Sequence, residues 1–167
     1  VKQIMVHLEK CNGCMTCTLA CAAAHSLSGT ITGAMAEGVK PRLWVEAVKG
    51  RPVPLLCRHC EEPACVEACM AGAMQKDPVT GNVSNEGNEQ TCVGCWMCIM
   101  ACPYGAIIQS EGVGGQPRVA LKCDLCRDRE VPACVASCPT RALEFVEVDD
   151  FAGKKRKEAA RPIAEAV

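Results

Sequence analysis

Sixteen cysteines stand in four short runs of four, and each is a soft sulfur donor that binds metal as its thiolate. The runs are Cys11, Cys14, Cys17, Cys21; Cys57, Cys60, Cys65, Cys69; Cys92, Cys95, Cys98, Cys102; and Cys123, Cys126, Cys134, Cys138. The first and third share the spacing C-x2-C-x2-C-x3-C, and Pro103 follows the third. Three thiolates this close can wrap three corners of a small cube, while the fourth corner needs a sulfur arriving from elsewhere in the chain. The arithmetic predicts four cubane [4Fe-4S] clusters, with all sixteen cysteines both cofactor-binding and metal-ligating. No cysteine is left over as a nucleophile, and an iron with a full set of thiolates has no open position for a substrate. The expected chemistry is single-electron transfer, not catalysis.

Two other uses of cysteine fit less well. A disulfide scaffold suits a shorter chain made in an oxidising compartment. Structural zinc pairs C-x2-C knuckles across a longer gap, whereas here three cysteines within seven residues occur twice.

With 167 residues and only 3% aromatics, the chain can build one ordinary domain or two small modules with thin apolar cores. Cluster ligation is expected to supply much of the folding free energy, so the apo-protein should be largely unfolded. Formal net charge is −1. Four thiolate-ligated cubanes at about −2 each would take it to about −9, which excludes a nucleic-acid partner. The short basic run 154–157 reads as a solvated face or docking tail. No apolar stretch reaches the ~20 residues of a membrane span, and the first ten residues show no signal-peptide pattern. A cytoplasmic protein without direct membrane insertion is expected.

The runs expose an internal duplication. Cys11-Asn12-Gly13-Cys14-Met15-Thr16-Cys17 parallels Cys92-Val93-Gly94-Cys95-Trp96-Met97-Cys98, and Pro63-Ala64-Cys65 parallels Pro132-Ala133-Cys134. Short strands are expected over residues 3–8, 118–121 and 143–148, with short helices after the cysteines. Hairpins are expected from 43–48 to 53–56 and around the turn formers at 77–82. The insertion at 22–56 should cover one cluster. The charged, alanine-rich tail after Val148, interrupted by Pro162, should be a loose arm.

Among the remaining residues, Gly13 and Gly94 allow the backbone to approach a cluster closely. His7, His25 and His59 are not needed as ligands, although His59, between Cys57 and Cys60, could donate a hydrogen bond to a cluster sulfur. Arg58, Arg127 and Arg129 can offset cluster charge or meet a partner. Trp96 and Tyr104 are expected to pack over a cluster, and Met97 and Met100 to face it from the core.

The third run, ending Cys102-Pro103, carries the bacterial ferredoxin signature, in which the fourth cysteine of one run ligates the other run's cluster. The full array from Cys11 to Cys138 resembles the four-cluster ferredoxin-like subunits that serve molybdenum and tungsten oxidoreductases, formate hydrogenlyase and carbon monoxide dehydrogenase. Ala22-Ala23-Ala24-His25-Ser26, the stretch from Pro54 through Cys57-Arg58-His59-Cys60 to Cys65, and Cys92-Val93-Gly94-Cys95-Trp96-Met97-Cys98 look most like the carbon monoxide dehydrogenase iron–sulfur subunit. Electron-transfer subunits of tungsten aldehyde oxidoreductases are similar competitors.

The resemblance implies an α+β fold of tandem bacterial-ferredoxin-like modules. It also implies nested pairing: Cys11, Cys14, Cys17 and Cys138 on one cluster, with Cys123, Cys126, Cys134 and Cys21 on its module-mate. The other module would hold Cys57, Cys60, Cys65 and Cys102, and Cys92, Cys95, Cys98 and Cys69. Spacing alone equally allows sequential pairing. The implied domains are an outer module of 1–21 plus 103–148, the insertion 22–56, an inner module of 57–102, and the arm 149–167. Cys21 and Cys69 lack the following proline, which removes no ligand.

The implied partners are a catalytic oxidoreductase, either carbon monoxide dehydrogenase or a tungsten or molybdenum enzyme, and a second redox partner such as a flavoprotein or hydrogenase. A formate dehydrogenase or hydrogenase complex, a filament of stacked copies and a free polyferredoxin are the alternatives.

Overall fold

A computed structural model describes residues 1–111 and 117–165. Its first and last strands meet. β1 (Lys2–Val6) pairs antiparallel with β8 (Leu143–Glu147), with Ile4 opposite Phe145. Ile4 and Leu143 turn inward from this ribbon, as the period-two pattern of strands requires. A 3-10 turn, Leu8–Lys10, then leads into the first cysteine run. β1 and the turn occupy the expected 3–8 strand, with the strand ending at Val6.

α1 (Thr16–Ala24) carries Cys17 and Cys21. α2 (Ile31–Glu37) follows, opened by Thr30, whose Oγ1 accepts from Gly33 N–H at 3.0 Å, and closed by left-handed Gly38. β2 (Leu43–Val48) and β3 (Arg51–Leu56) form a hairpin in full register from Leu43 and Leu56 to Val48 and Arg51. Its two-residue loop, Lys49-Gly50, has φ of 50° and 74°, the doubly left-handed geometry that matches strand twist.

The next stretch uses shorter pieces. α3 (Ala64–Glu67) follows the second run, and β4 (Gln75–Lys76) pairs with β5 (Val83–Ser84) across the expected turn. α4 (Met97–Ala101) belongs to the third run, and β6 (Ile107–Gln109) pairs with β7 (Ala120–Lys122). α5 (Ala133–Ala136) belongs to the fourth run.

Two cores result. One gathers Ile4, Cys17, Cys21, Leu43, Leu56, Cys134 and Leu143, and the other Met74, Val83, Cys98, Ile107 and Ala120. α1 packs against α5, and α3 against α4, so helices of the first and fourth runs meet, as do those of the second and third. β6 and β7, which lie in the segment assigned from sequence to the outer module, contribute Ile107 and Ala120 to the core of the second and third runs.

The tail departs from expectation. α6 (Val148–Glu165) is a helix of 18 residues that continues through Pro162, not a loose arm. Acidic Asp149 and Asp150 suit its first turn, Lys154 reaches Glu144 at 2.9 Å, and the Phe151 ring lies 5.4 Å from that of His7. These contacts hold the start of the helix to β8 and β1.

Candidate metal centres

Each run folds around the same backbone event. The residue before its second cysteine takes a positive φ: Gly13 at 73°, His59 at 44°, Gly94 at 69° and Leu125 at 60°. Such residues turn successive N–H groups toward one side and make an anion-holding concavity. At Gly94 the need for glycine is steric as well, because a Cβ there would lie 2.5 Å from the Arg118 carbonyl oxygen. Met15 (62°) and Trp96 (65°) are also left-handed, so α1 and α4 each start immediately after a reversal.

The cysteines converge in fours. One cavity is lined by Cys11, Cys14, Cys17 and Cys138, together with Val45 and Pro54 of the β2–β3 hairpin, so the insertion roofs this site. A second is lined by Cys57, Cys60, Cys65 and Cys102, with His59, Val83 and Tyr104. A third is lined by Cys69, Cys92, Cys95 and Cys98, with Trp96 and Met74. Of the remaining four, Cys134 is raised first by burial and then by the thiolates of Cys123, Cys21 and Cys126. That mutual repulsion places them at one locus.

The donor set fits cubane clusters. All sixteen cysteines are free thiols. Backbone N–H groups donate to sulfur from Arg42 to Cys21 at 3.3 Å, Met74 to Cys69 at 3.2 Å, Ala142 to Cys138 at 3.2 Å and His59 to Cys57 at 3.4 Å. Burial pushes the thiols of Cys17 and Cys65 up to about 11, so the enclosed sulfurs hold their protons until a metal supplies positive charge. Exposed Cys14 goes the other way, lowered by its hydrogen bonds from Thr16.

The histidines are occupied. His25 Nδ1 donates to the Cys21 carbonyl at 2.7 Å and Nε2 to Asp124 Oδ1 at 3.1 Å, leaving no lone pair for metal. Burial opposes its charge, but the bonds to Asp124 and Cys21 prevail and raise it to about 10. His59 Nδ1 accepts from Val83 N–H at 3.0 Å, which puts its proton on Nε2, a buried atom with no protein partner. Desolvation and then Lys122 hold His59 down to about 3, hence neutral. That orphan N–H, on a residue lining the second cavity, suits a sulfur acceptor.

Trp96 and Tyr104 line cavities as expected. Met97 and Met100 do not form core. They are 38% and 71% exposed, because the buried face of α4 is taken by Cys98. Arg127 donates to the Glu86 carbonyl at 2.9 Å, and Arg58 and Arg129 are exposed.

Three structural groups escaped sequence reasoning. Leu125 and His59 perform the turn that Gly13 and Gly94 announce by residue type, and only the repeat alignment hinted at it. Asp124 ties His25 to Arg42, whose Nη1 lies 2.9 Å from Asp124 Oδ2 and Nη2 3.0 Å from Glu86 Oε1. Lys122, beside Cys123, is 3% exposed, a burial that nothing in the local sequence signals.

A family model described as a 4Fe-4S dicluster domain matches residues 48–148, and one described as a 4Fe-4S binding domain matches residues 8–24. The chain belongs to the 4Fe-4S dicluster family. As such it has the α+β ferredoxin-like fold and holds 4Fe-4S clusters, and its sixteen cysteines fit four of them. An iron–sulfur protein of Rhodospirillum rubrum is 39% identical over 96% of this chain and 90% of its own length. The electron transport protein HydN of Escherichia coli is 35% identical over 94% of this chain and 96% of its own. The B subunit of the anaerobic dimethyl sulfoxide reductase of Escherichia coli is 37% identical over 91% and 76%. This dicluster-family protein is an electron-transfer iron–sulfur subunit, not a catalytic one. Among the described residues no helix is long and apolar enough to cross a membrane.

Proposed function

We propose that the chain relays single electrons between a catalytic oxidoreductase and a second redox partner, through four sites in the nested ligand arrangement. When bound, each cubane supplies one-electron chemistry at irons that are fully ligated. The observation that carries the reading is that cysteines of one run share a cavity with the fourth cysteine of another. Cys138 lies with Cys11, Cys14 and Cys17, Cys102 with Cys57, Cys60 and Cys65, and Cys69 with Cys92, Cys95 and Cys98. Cys21, Cys123, Cys126 and Cys134 complete the set.

Shared elements support an order. α1 supplies Cys17 to the first site and Cys21 to the next. Burial raises Cys123 against a backbone hydrogen bond from Leu125, and the Cys57 thiolate adds to the rise, so the sites of Cys123 and Cys57 adjoin. α3 and α4 each link the site of Cys57 to that of Cys92. The sites of Cys14 and Cys95 thus terminate the relay, and these two are the exposed ligands. Exposed apolar side chains accompany both, Met15 and Leu19 at one, Met70, Val93 and Met100 at the other, as partner docking requires.

The relatives named for electron transport and for an anaerobic reductase favour a partner of the molybdenum or tungsten oxidoreductase or hydrogen-linked class. Carbon monoxide dehydrogenase, the partner expected first from sequence, rests on the stretches 22–26, 54–65 and 92–98 alone.

Anaerobic affinity purification with iron counting tests the relay. About sixteen irons together with a catalytic oxidoreductase are expected, and full iron with no partner would favour a free carrier. Cys95→Ser and Cys69→Ala should alter the same electron paramagnetic resonance signal. Losses at different signals would break the nested map.

A further inference from the structure

Lys122 is the most conspicuous charge in the interior. It is 3% exposed, on β7, immediately before a cluster ligand. Its Nζ donates to the carbonyl of Val83 and, at 2.9 Å, to that of Cys123. Among the described residues it forms no ion pair with a carboxylate, unlike Lys40, Lys76, Lys154 and Lys155. A buried cation without a counter-charge costs several kcal/mol. Something negative must therefore face it in the loaded protein.

Its two carbonyl partners identify what that is. Val83 is 0% exposed and lines the cavity of Cys57, Cys60, Cys65 and Cys102, and its N–H holds His59 in place. Cys123 belongs to the neighbouring set with Cys21, Cys126 and Cys134. The ammonium is pinned between the wall of one middle site and a ligand of the other. It favours thiolates on both sides, pulling against burial at Cys65 and at Cys123.

We propose that Lys122 is a fixed electrostatic bridge that raises the reduction potentials of the two middle sites together, relative to the two end sites. The inference rests on the nested ligand map. Each electron passed along the relay adds one negative charge to the site that receives it and removes one from the site that gave it up. A positive charge held in a low-dielectric interior stabilises the electron-rich state of whichever middle site holds it. Because the bridge touches both sites, it lowers the energy of two successive stations and leaves the transfer between them nearly level. The end sites have no buried lysine of this kind among the described residues.

The test is an anaerobic redox titration of the iron-loaded protein, followed by electron paramagnetic resonance. Signals are first assigned with Cys57→Ser and Cys126→Ser for the middle sites and Cys14→Ser and Cys95→Ser for the ends. Lys122→Met should make both middle sites harder to reduce by about tenfold in equilibrium constant, about 59 mV for a one-electron couple. The end potentials should stay in place, and Lys122→Arg should restore the middle ones. Lys122→Gln, which keeps a hydrogen-bond donor without the charge, should match Lys122→Met and substitutes for it if the methionine variant loses iron.

Unchanged potentials in a loaded neutral variant overturn the proposal and leave the ligand map standing. A shift confined to the end signals overturns the map. Loss of iron from both neutral variants with retention in Lys122→Arg assigns the charge to assembly and overturns the tuning role.

Discussion

The half of the molecule built around the first and fourth runs and the half built around the second and third hold the same number of cysteines in different settings. The first half has a five-residue antiparallel ribbon, a nine-residue helix and a roofing hairpin. The second has strands of two and three residues and helices of four and five. Isolated two-stranded pairs of that length are marginal in water, and helices of one turn do not persist alone. The second half therefore depends more on what its cysteines bind. Its buried polar groups, His59, Ser84 and Lys122, add to that dependence, because each needs a partner in a dry interior.

Removing iron should expose this difference most. After anaerobic chelation, hydrogen exchange should show complete loss of protection in α3, α4 and β4 to β7, with residual protection in β1 and β8. Equal loss in both halves would end the comparison. Next in size is Arg42→Met. Arg42 lies between Asp124, next to Cys123, and Glu86, ahead of the third run, and so stitches the halves together. Breaking this mostly buried pair should cost about 3 kcal/mol, read as a lowered midpoint of anaerobic denaturation. A change within error would show that the halves need no stitch.

The smallest effect compares the two duplicated glycines. Gly94→Ala combines left-handed strain of about 1–2 kcal/mol with a backbone carbonyl 2.5 Å from the new Cβ. Gly13→Ala carries the same strain but meets the Pro52 side chain at 3.2 Å. The inner substitution should lower the denaturation midpoint further than the outer one. The reverse order would show that the roofing hairpin is the stiffer neighbour.

Much of the site was legible because ligand chemistry constrains sequence tightly. Thiolates that wrap one small object must be close in the chain, so the runs, the glycines inside them and the internal duplication could be read directly. The hairpin at 43–56 was legible for a similar reason, since alternation and a tight turn are local properties. The 3-10 turn after Val6 and the helical tail were not. The tail's sequence, with Gly153 and Pro162, reads as weak helix, and its start is held by Phe151 against His7 and by Lys154 against Glu144, partners distant in the chain. The exposed faces of Met97 and Met100 likewise depend on which side of a one-turn helix its cysteine claims.

The number and kind of metal ligands were settled by residue type and spacing, because valence and reach allow little else for sixteen thiolates in four runs. Which runs work together stayed open at that level, since spacing measures only distance along the chain. Tertiary structure brought β1 to β8 and α1 to α5, closed the first run on the last, and put Lys122 between the middle pair. Those are contacts between residues far apart in sequence. They are set by which apolar faces bury together, and a potential or an order of transfer follows from that packing.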